Sequence, residues 1–254
     1  MVDARGRSCE LMHIYIKAWG LQVLVNIVEC LEGARRAKGL AVVIDVFRAF
    51  SVACYAVDNG ADRYFAVGQV ETARDLAARH EAVLVGERDC IKIDGFDYGN
   101  SPTEIEHADF SGRTLVHTTS AGTQGLVACA GADEILTGSF VNADAIVRYI
   151  RAKQPELVTL VAMGTGGIMR AQEDMMCAMY IKNELDGYPN SFETLRKFLA
   201  GVDSAEKFFD PAKDYAPERD FELCMNLSAF DFVLRAIPEA DGVVRLEKTT
   251  VPQD

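Results

Sequence analysis

The sequence predicts an α/β fold built on a mostly parallel β-sheet. Three observations carry this: short apolar runs recur along the chain, helical segments separate most of them, and two stretches share one strand–loop–helix plan. The runs are "AVVID" (41–45), "RYFAV" (63–67), "AVLV" (82–85), "RTLVH" (113–117), "EILT" (134–137) and "LVTLVA" (157–162). They are continuous rather than alternating, as expected of strands covered on both faces.

The segments between them have helical length and composition. "AFSVACYAVD" follows the first run, "VETARDLAARH" the second, "TQGLVACA" the fourth, "NADAIVRYIRAK" the fifth and "AQEDMMCAMYIKNELDG" the sixth. Strand and helix in alternation indicate parallel pairing through crossovers. The shared plan appears in "NGADRYFAVGQVETARDL" and "AGADEILTGSFVNADAI", where Gly60 and Gly131 are expected C′ caps. Two earlier runs, "MHIYI" and "VLVNIVECL", and a late one, "GVVRL", are expected to add edge strands. Ser191 to Arg219 reads as a short helix followed by a polar surface excursion. No low-complexity segment or linker divides the 254 residues, so one domain, or two intimate lobes, is expected.

Composition narrows the function. The chain is 49% hydrophobic and 25% charged, with no apolar run of membrane-spanning length and no signal-like start, so a cytoplasmic protein is expected. Seven scattered cysteines lack metal-ligand spacing and fit a reducing compartment. A net charge of −12 without a basic run argues against nucleic acid as a partner. An anionic ligand would then need local attraction from a metal ion, an arginine or helix N-termini.

In parallel sheets ligands bind beyond the carboxyl ends of the strands. The loops there are "VFRAFS", "GERDCIKIDGFDYGNSP", "TTSAGT", "GSFVN" and "MGTGG", rich in glycine and hydroxyl groups. Asp45 at a strand tip suits Mg²⁺ and Arg48 suits a phosphate or sulfonate, although an N-cap aspartate and a solvated arginine fit equally. Thr118, Thr119, Ser120 and Thr123 surround Gly122 before a helix, as in an oxyanion pocket or an ordinary cap. Glu87 and Arg88 could serve metal and anion, or form a surface pair. Glu173 and Asp174 open a helix, where acids are favourable for the dipole anyway.

Other phosphatase signatures fail. The acid expected two residues after Asp45 is absent, since Phe47 stands there. The Cys30-x5-Arg36 spacing carries Glu32 inside what would be the phosphate cradle. Among four histidines only His117 is placed for acid–base work, and a satisfied core histidine is the stronger reading.

"VVIDVFRA" (42–49), "GERDCIKIDGFDYGNSP" (86–102), "LVHTTSAGT" (115–123), "GSFVNA" (138–143) and "EDMMCA" (173–178) together resemble the 2-phosphosulfolactate phosphatase family, in the family's order over residues 40–180. The resemblance implies a three-layer α/β/α fold and Mg²⁺-dependent hydrolysis of a phosphomonoester. The family's named substrate, an intermediate of coenzyme M synthesis, carries phosphate, sulfonate and carboxylate together. The expected catalytic set is Asp45, Arg48 and Glu87. Arg88, Asn100, Ser101, Thr118, Thr119, Gly122, Thr123, Ser139 and Asn142 are expected on the substrate. Asp45, Glu87, Asp94, Asp97 and Asp174 are expected on the metal. Two departures stand out: Ala121 replaces a common asparagine, and "FRAFS" replaces a Thr/Ser-rich segment. Another small acidic phosphoester, or non-catalytic binding of an anionic metabolite, therefore stays open, as does a homo-oligomer.

Overall fold

The computed structural model describes residues 23–251. Ten strands form one sheet: β1 (Leu24–Glu29), β2 (Leu40–Ile44), β3 (Arg63–Val67), β4 (Val83–Arg88), β5 (Ile91–Lys92), β6 (Thr114–Thr118), β7 (Glu134–Gly138), β8 (Leu157–Ala162), β9 (Phe232–Pro238) and β10 (Val243–Thr250). Their order is β1-β8-β2-β7-β9-β10-β3-β6-β4-β5. Two parallel blocks, β1-β8-β2-β7 and β3-β6-β4, flank an antiparallel hairpin, β9–β10.

The helices are α1 (Cys30–Ala34), α2 (Ala49–Asp58), α3 (Val70–His80), α4 (Pro102–Ile105), α5 (Gly122–Ala128), α6 (Ala143–Lys153), α7 (Gln172–Asp186), α8 (Phe192–Leu199), α9 (Asp203–Phe209) and α10 (Glu218–Cys224). The predicted α2 and α3 match residue for residue.

Strand alternation shows why both faces need cover. On β2, Ala41 and Val43 pack into the core beneath α2 and α5, whereas Leu40, Val42 and Ile44 pack beneath α6, α7 and the α8–α10 segment. In the second block Tyr64, Ala66 and Leu115 face the first core, while Phe65, Val67 and Val116 meet α3. Apolar residues at every position of a strand thus feed two cores, giving three layers.

Several expectations need correction. The "GVVRL" run belongs to β10, which lies inside the sheet rather than at its edge. β9 escaped notice because "FVLRAIP" interrupts its apolar residues with Arg235. The run at 23–31 does form the edge strand β1, with α1 after it, and "MHIYI" lies outside the described residues. Gly60, at φ +94°, follows α2 as expected, but Gly131 has no left-handed backbone and caps nothing in that manner. Ser191–Arg219 is not a surface excursion: it supplies α8, α9 and the start of α10, with Phe208 and Ala216 buried. Among the described residues all six cysteines are free, and no helix is long and apolar enough to cross a membrane.

Candidate active site

The carboxyl ends of the two parallel blocks meet. Asp45 follows β2 and Glu87 ends β4, strands far apart in sheet order, yet both line one crevice of about 450 Å³. Helix α5 packs on both β2 and β3, holding the blocks together beneath it. Gly122 permits this closeness, because a Cβ there would lie 2.7 Å from Asp45 Oδ2 and 2.8 Å from the Ala49 Cβ.

Asp45 is the central group. Its Oδ1 accepts the Ala49 N–H at 3.1 Å at the start of α2, so the capping alternative is realised. Its Oδ2 has no hydrogen-bond partner among the described residues, and the residue lines the crevice. Burial pushes its carboxyl up to about 7; the Ala49 N–H opposes this, and Glu87 and Glu173 reinforce it.

Glu173 and Asp174, at the start of α7, form the facing wall. Asp174 accepts the N–H groups of Val46 and Gly164, both at 2.8 Å, and so ties the loops after β2 and β8 to α7. Burial raises its carboxyl well above the usual range, with Glu173 and Asp45 adding repulsion. Gly164, at φ +69°, is required by the close loop, since a Cβ there would stand 2.0 Å from the Met169 carbonyl. Glu173 accepts the Ser204 hydroxyl, and burial again raises its carboxyl.

Glu87 is held differently. Oε1 accepts the Ser120 N–H at 2.7 Å, and Oε2 accepts the Cys90 N–H at 2.7 Å and the Ser120 hydroxyl at 3.1 Å. It fastens the loop after β6 to the loop after β4. Asn100 also lines the crevice, and the buried His117 orients it: Tyr64 O–H donates to Nδ1 at 2.8 Å, and Nε2–H donates to Asn100 Oδ1 at 3.2 Å. Burial, helped by Arg88, depresses His117 to about 3, so it is the satisfied core histidine.

Other expected residues are spent elsewhere. Arg48 reaches the crevice, but its Nη1 pairs with the fully buried Asp220 and donates to the Tyr215 carbonyl at 2.8 Å. Arg88 donates to the Glu87 and Gly68 carbonyls and to Thr118 Oγ1, and does not line the crevice. Thr119 and Thr123 cap α5 reciprocally, each backbone N–H donating to the other's hydroxyl, at 2.9 and 3.2 Å. Ser101 donates to Asp220 at 2.7 Å, and Ser139 and Asn142 close a capping box before α6. Asp94 and Asp97 are exposed and outside the crevice, Asp97 accepting the Leu84 N–H at the opposite end of β4. The "DGFDYGNSP" loop therefore brings Asn100 to the site but neither aspartate.

The structure adds residues that sequence reasoning passed over. α9 contributes Ser204 and Lys207, three apart on one helical face, with Ala205 and Phe208 buried on the other. That spacing was readable in "DSAEKFF". Asp220, which also accepts the Thr103 N–H at 3.0 Å, carried no comparable signal.

All the carboxylates here are hard oxygen donors. Among the described residues no three His, Cys, Asp or Glu side chains converge as a preformed cage. Mg²⁺ asks less, commonly one or two carboxylates with water and phosphate completing the shell. Asp45, with its open Oδ2, and Glu173 fit that demand, whereas Glu87 is already saturated and Asp94 and Asp97 are remote.

Fold and crevice define the class: an α/β protein with an acidic, oxygen-lined site where the carboxyl ends of two parallel strand blocks meet. A family model described as 2-phosphosulpholactate phosphatase matches residues 26–237, and the chain belongs to that family. It is 33% identical over 210 residues to a probable 2-phosphosulfolactate phosphatase of Clostridium perfringens, covering 76% of this chain and 84% of the relative. A protein of the same description from Thermotoga maritima is 34% identical over 205 residues, 76% of this chain and 87% of its own. Another, from Caldanaerobacter subterraneus, is 40% identical over 129 residues, 50% of this chain and 53% of its own.

Proposed function

We propose that the protein hydrolyses 2-phosphosulfolactate to sulfolactate and phosphate with the help of Mg²⁺. Family membership supports the reaction class, and the open Oδ2 of Asp45 in the crevice is the observation that carries the site assignment. Asp45 and Glu173 would hold Mg²⁺, with Asp174 behind them fixing both loops. When bound, Mg²⁺ supplies charge compensation at the phosphoryl oxygens and acidifies water.

The chain's own groups do the rest. Asp174 holds the Val46 and Gly164 backbones, which sets the position of Asp45. Glu87 and Ser120 shape the floor, and the Tyr64–His117 pair aims Asn100. A bond forms between the water oxygen and phosphorus while the bond from phosphorus to the alcohol oxygen breaks, and the proton lost by water ends on the alcohol. Direct attack by water is favoured over a phosphoaspartyl intermediate, because Phe47 occupies the place of the acid that would serve it.

A second reading has one specific support. Ala121 lines the crevice where the family commonly carries asparagine, which favours a different small acidic phosphoester. Phosphate release over a panel of phosphoesters, with Mg²⁺ and with chelator, tests both. Turnover of 2-phosphosulfolactate above the others and abolished by chelator is expected; no turnover of any phosphoester with Mg²⁺ present would defeat the assignment.

A further inference from the structure

The charges around the crevice do not balance. Asp45, Glu87, Asp89, Glu173, Asp174 and Asp203 line it against Arg48, Arg170 and Lys207. Arg48 is neutralised by Asp220, and Arg170 pairs with Glu29 at 2.6 Å. Lys207 makes no ion pair among the described residues; its nearest polar contact is the Cys90 sulfur, 3.8 Å from Nζ. It is the one lining cation with charge left to offer.

Its support is firm. α9 is anchored by Phe208, which is buried and meets Phe47 edge-on with centroids 5.1 Å apart. Lys207 Nζ lies 5.1 Å from the Phe208 ring centroid, and Arg48 lies 5.9 Å from the same ring. The lysine thus reaches from α9 across to the loop after β4, away from the β2 tip where Asp45 stands. An ammonium is a compact point charge that takes carboxylate or sulfonate without the planar match an arginine demands.

We infer that Lys207 determines specificity, by pairing with a carboxylate or sulfonate that the phosphoester carries beside its phosphate. The inference rests on the hydrolase reading above and extends it to a residue and a substrate feature. Carboxylates around the site repel such a group, and an unpaired lysine is the device that reverses this for substrates bearing it.

Three phosphoesters separate the sources: 2-phosphosulfolactate, 2-phospholactate without the sulfonate, and isopropyl phosphate without either acid. In Lys207→Met the ratio of kcat/KM for the acid-bearing ester to that for the simpler one is expected to fall at least tenfold. A fall between 2-phospholactate and isopropyl phosphate assigns the carboxylate; one between 2-phosphosulfolactate and 2-phospholactate assigns the sulfonate. Lys207→Arg should recover part of the ratio, which a merely structural lysine would not require. Equal losses on all three esters, or no change in either ratio, overturn the inference. If the unaltered protein cleaves none of them, the hydrolase reading fails by itself, and calorimetry with sulfolactate still judges Lys207. Affinity at least tenfold weaker in Lys207→Met then supports the pairing; equal affinity, or no binding to the unaltered protein, refutes it.

Discussion

Asp220→Ala is the sharpest test of how the site is held. Asp220 is fully buried and accepts from Arg48 Nη1, the Ser101 hydroxyl, and the N–H and hydroxyl of Thr103. Arg48 is itself 2% exposed, so its charge has no aqueous alternative once the carboxylate is gone. Breaking a buried pair from one side costs about 3–5 kcal/mol, because the remaining charge stays desolvated. For a chain of this size each kcal/mol shifts Tm by about 2–4 °C, so a fall of about 6–20 °C is expected. Urea titration of the Asp220→Ala variant gives the free energy directly, and phosphate release reports whether the Arg48 side of the crevice survives. The double variant Arg48→Met/Asp220→Leu removes both charges and should regain most of the lost stability. A loss under about 1 kcal/mol in Asp220→Ala would refute the view that this pair pins α10 to the strand tip.

Three further outcomes are expected. Asp45→Asn should lower phosphate release by about 100-fold or more, the scale of losing a positioned acid–base or metal-binding group, with the fold retained by circular dichroism. Gly122→Ala should cost about 1–3 kcal/mol in denaturant titration by overpacking, since its new methyl would meet Asp45 Oδ2 and Ala49. His117 should stay neutral in NMR titration down to about pH 3. Its native value lies below the ordinary 6.5, so the unfolded chain takes up a proton first as pH falls. Stability from this residue is therefore complete above about pH 6.5 and is lost below it by up to about 1.4 kcal/mol per pH unit, visible as a difference from His117→Gln.

The fold was legible where one signal dominated. Continuous apolar runs gave β3 and β8 to the residue, and α2 and α3 followed from uninterrupted helical stretches between them. β9 was hidden by Arg235, whose charge is met by Glu134 across the sheet, a pairing no local pattern reveals. In the site, Asp45, Glu87, Asn100 and Asp174 were identifiable because strand ends and helix starts are where ligands meet a parallel sheet. The threonines misled, since the same hydroxyls that can bind an oxyanion also cap a helix, and here they face inward. Asp94 and Asp97 misled for a related reason: an irregular loop was expected to deliver its acids to the crevice, but Asp97 fastens the loop to β4. Lys207 and Asp220 arrive from a segment far along the chain, and only tertiary packing brings them to Asp45 and Arg48.

The position of the β9–β10 hairpin has a consequence for biosynthesis. Residues 232–250 sit at the centre of the sheet yet leave the ribosome after both parallel blocks they join. Each block can pair its own strands early, but the seam stays open until this late hairpin slots between them. Contacts so distant along the chain are slow to close, and the unfilled edges of β7 and β3 are sticky meanwhile. A nascent chain halted before residue 232 would accordingly call on chaperones.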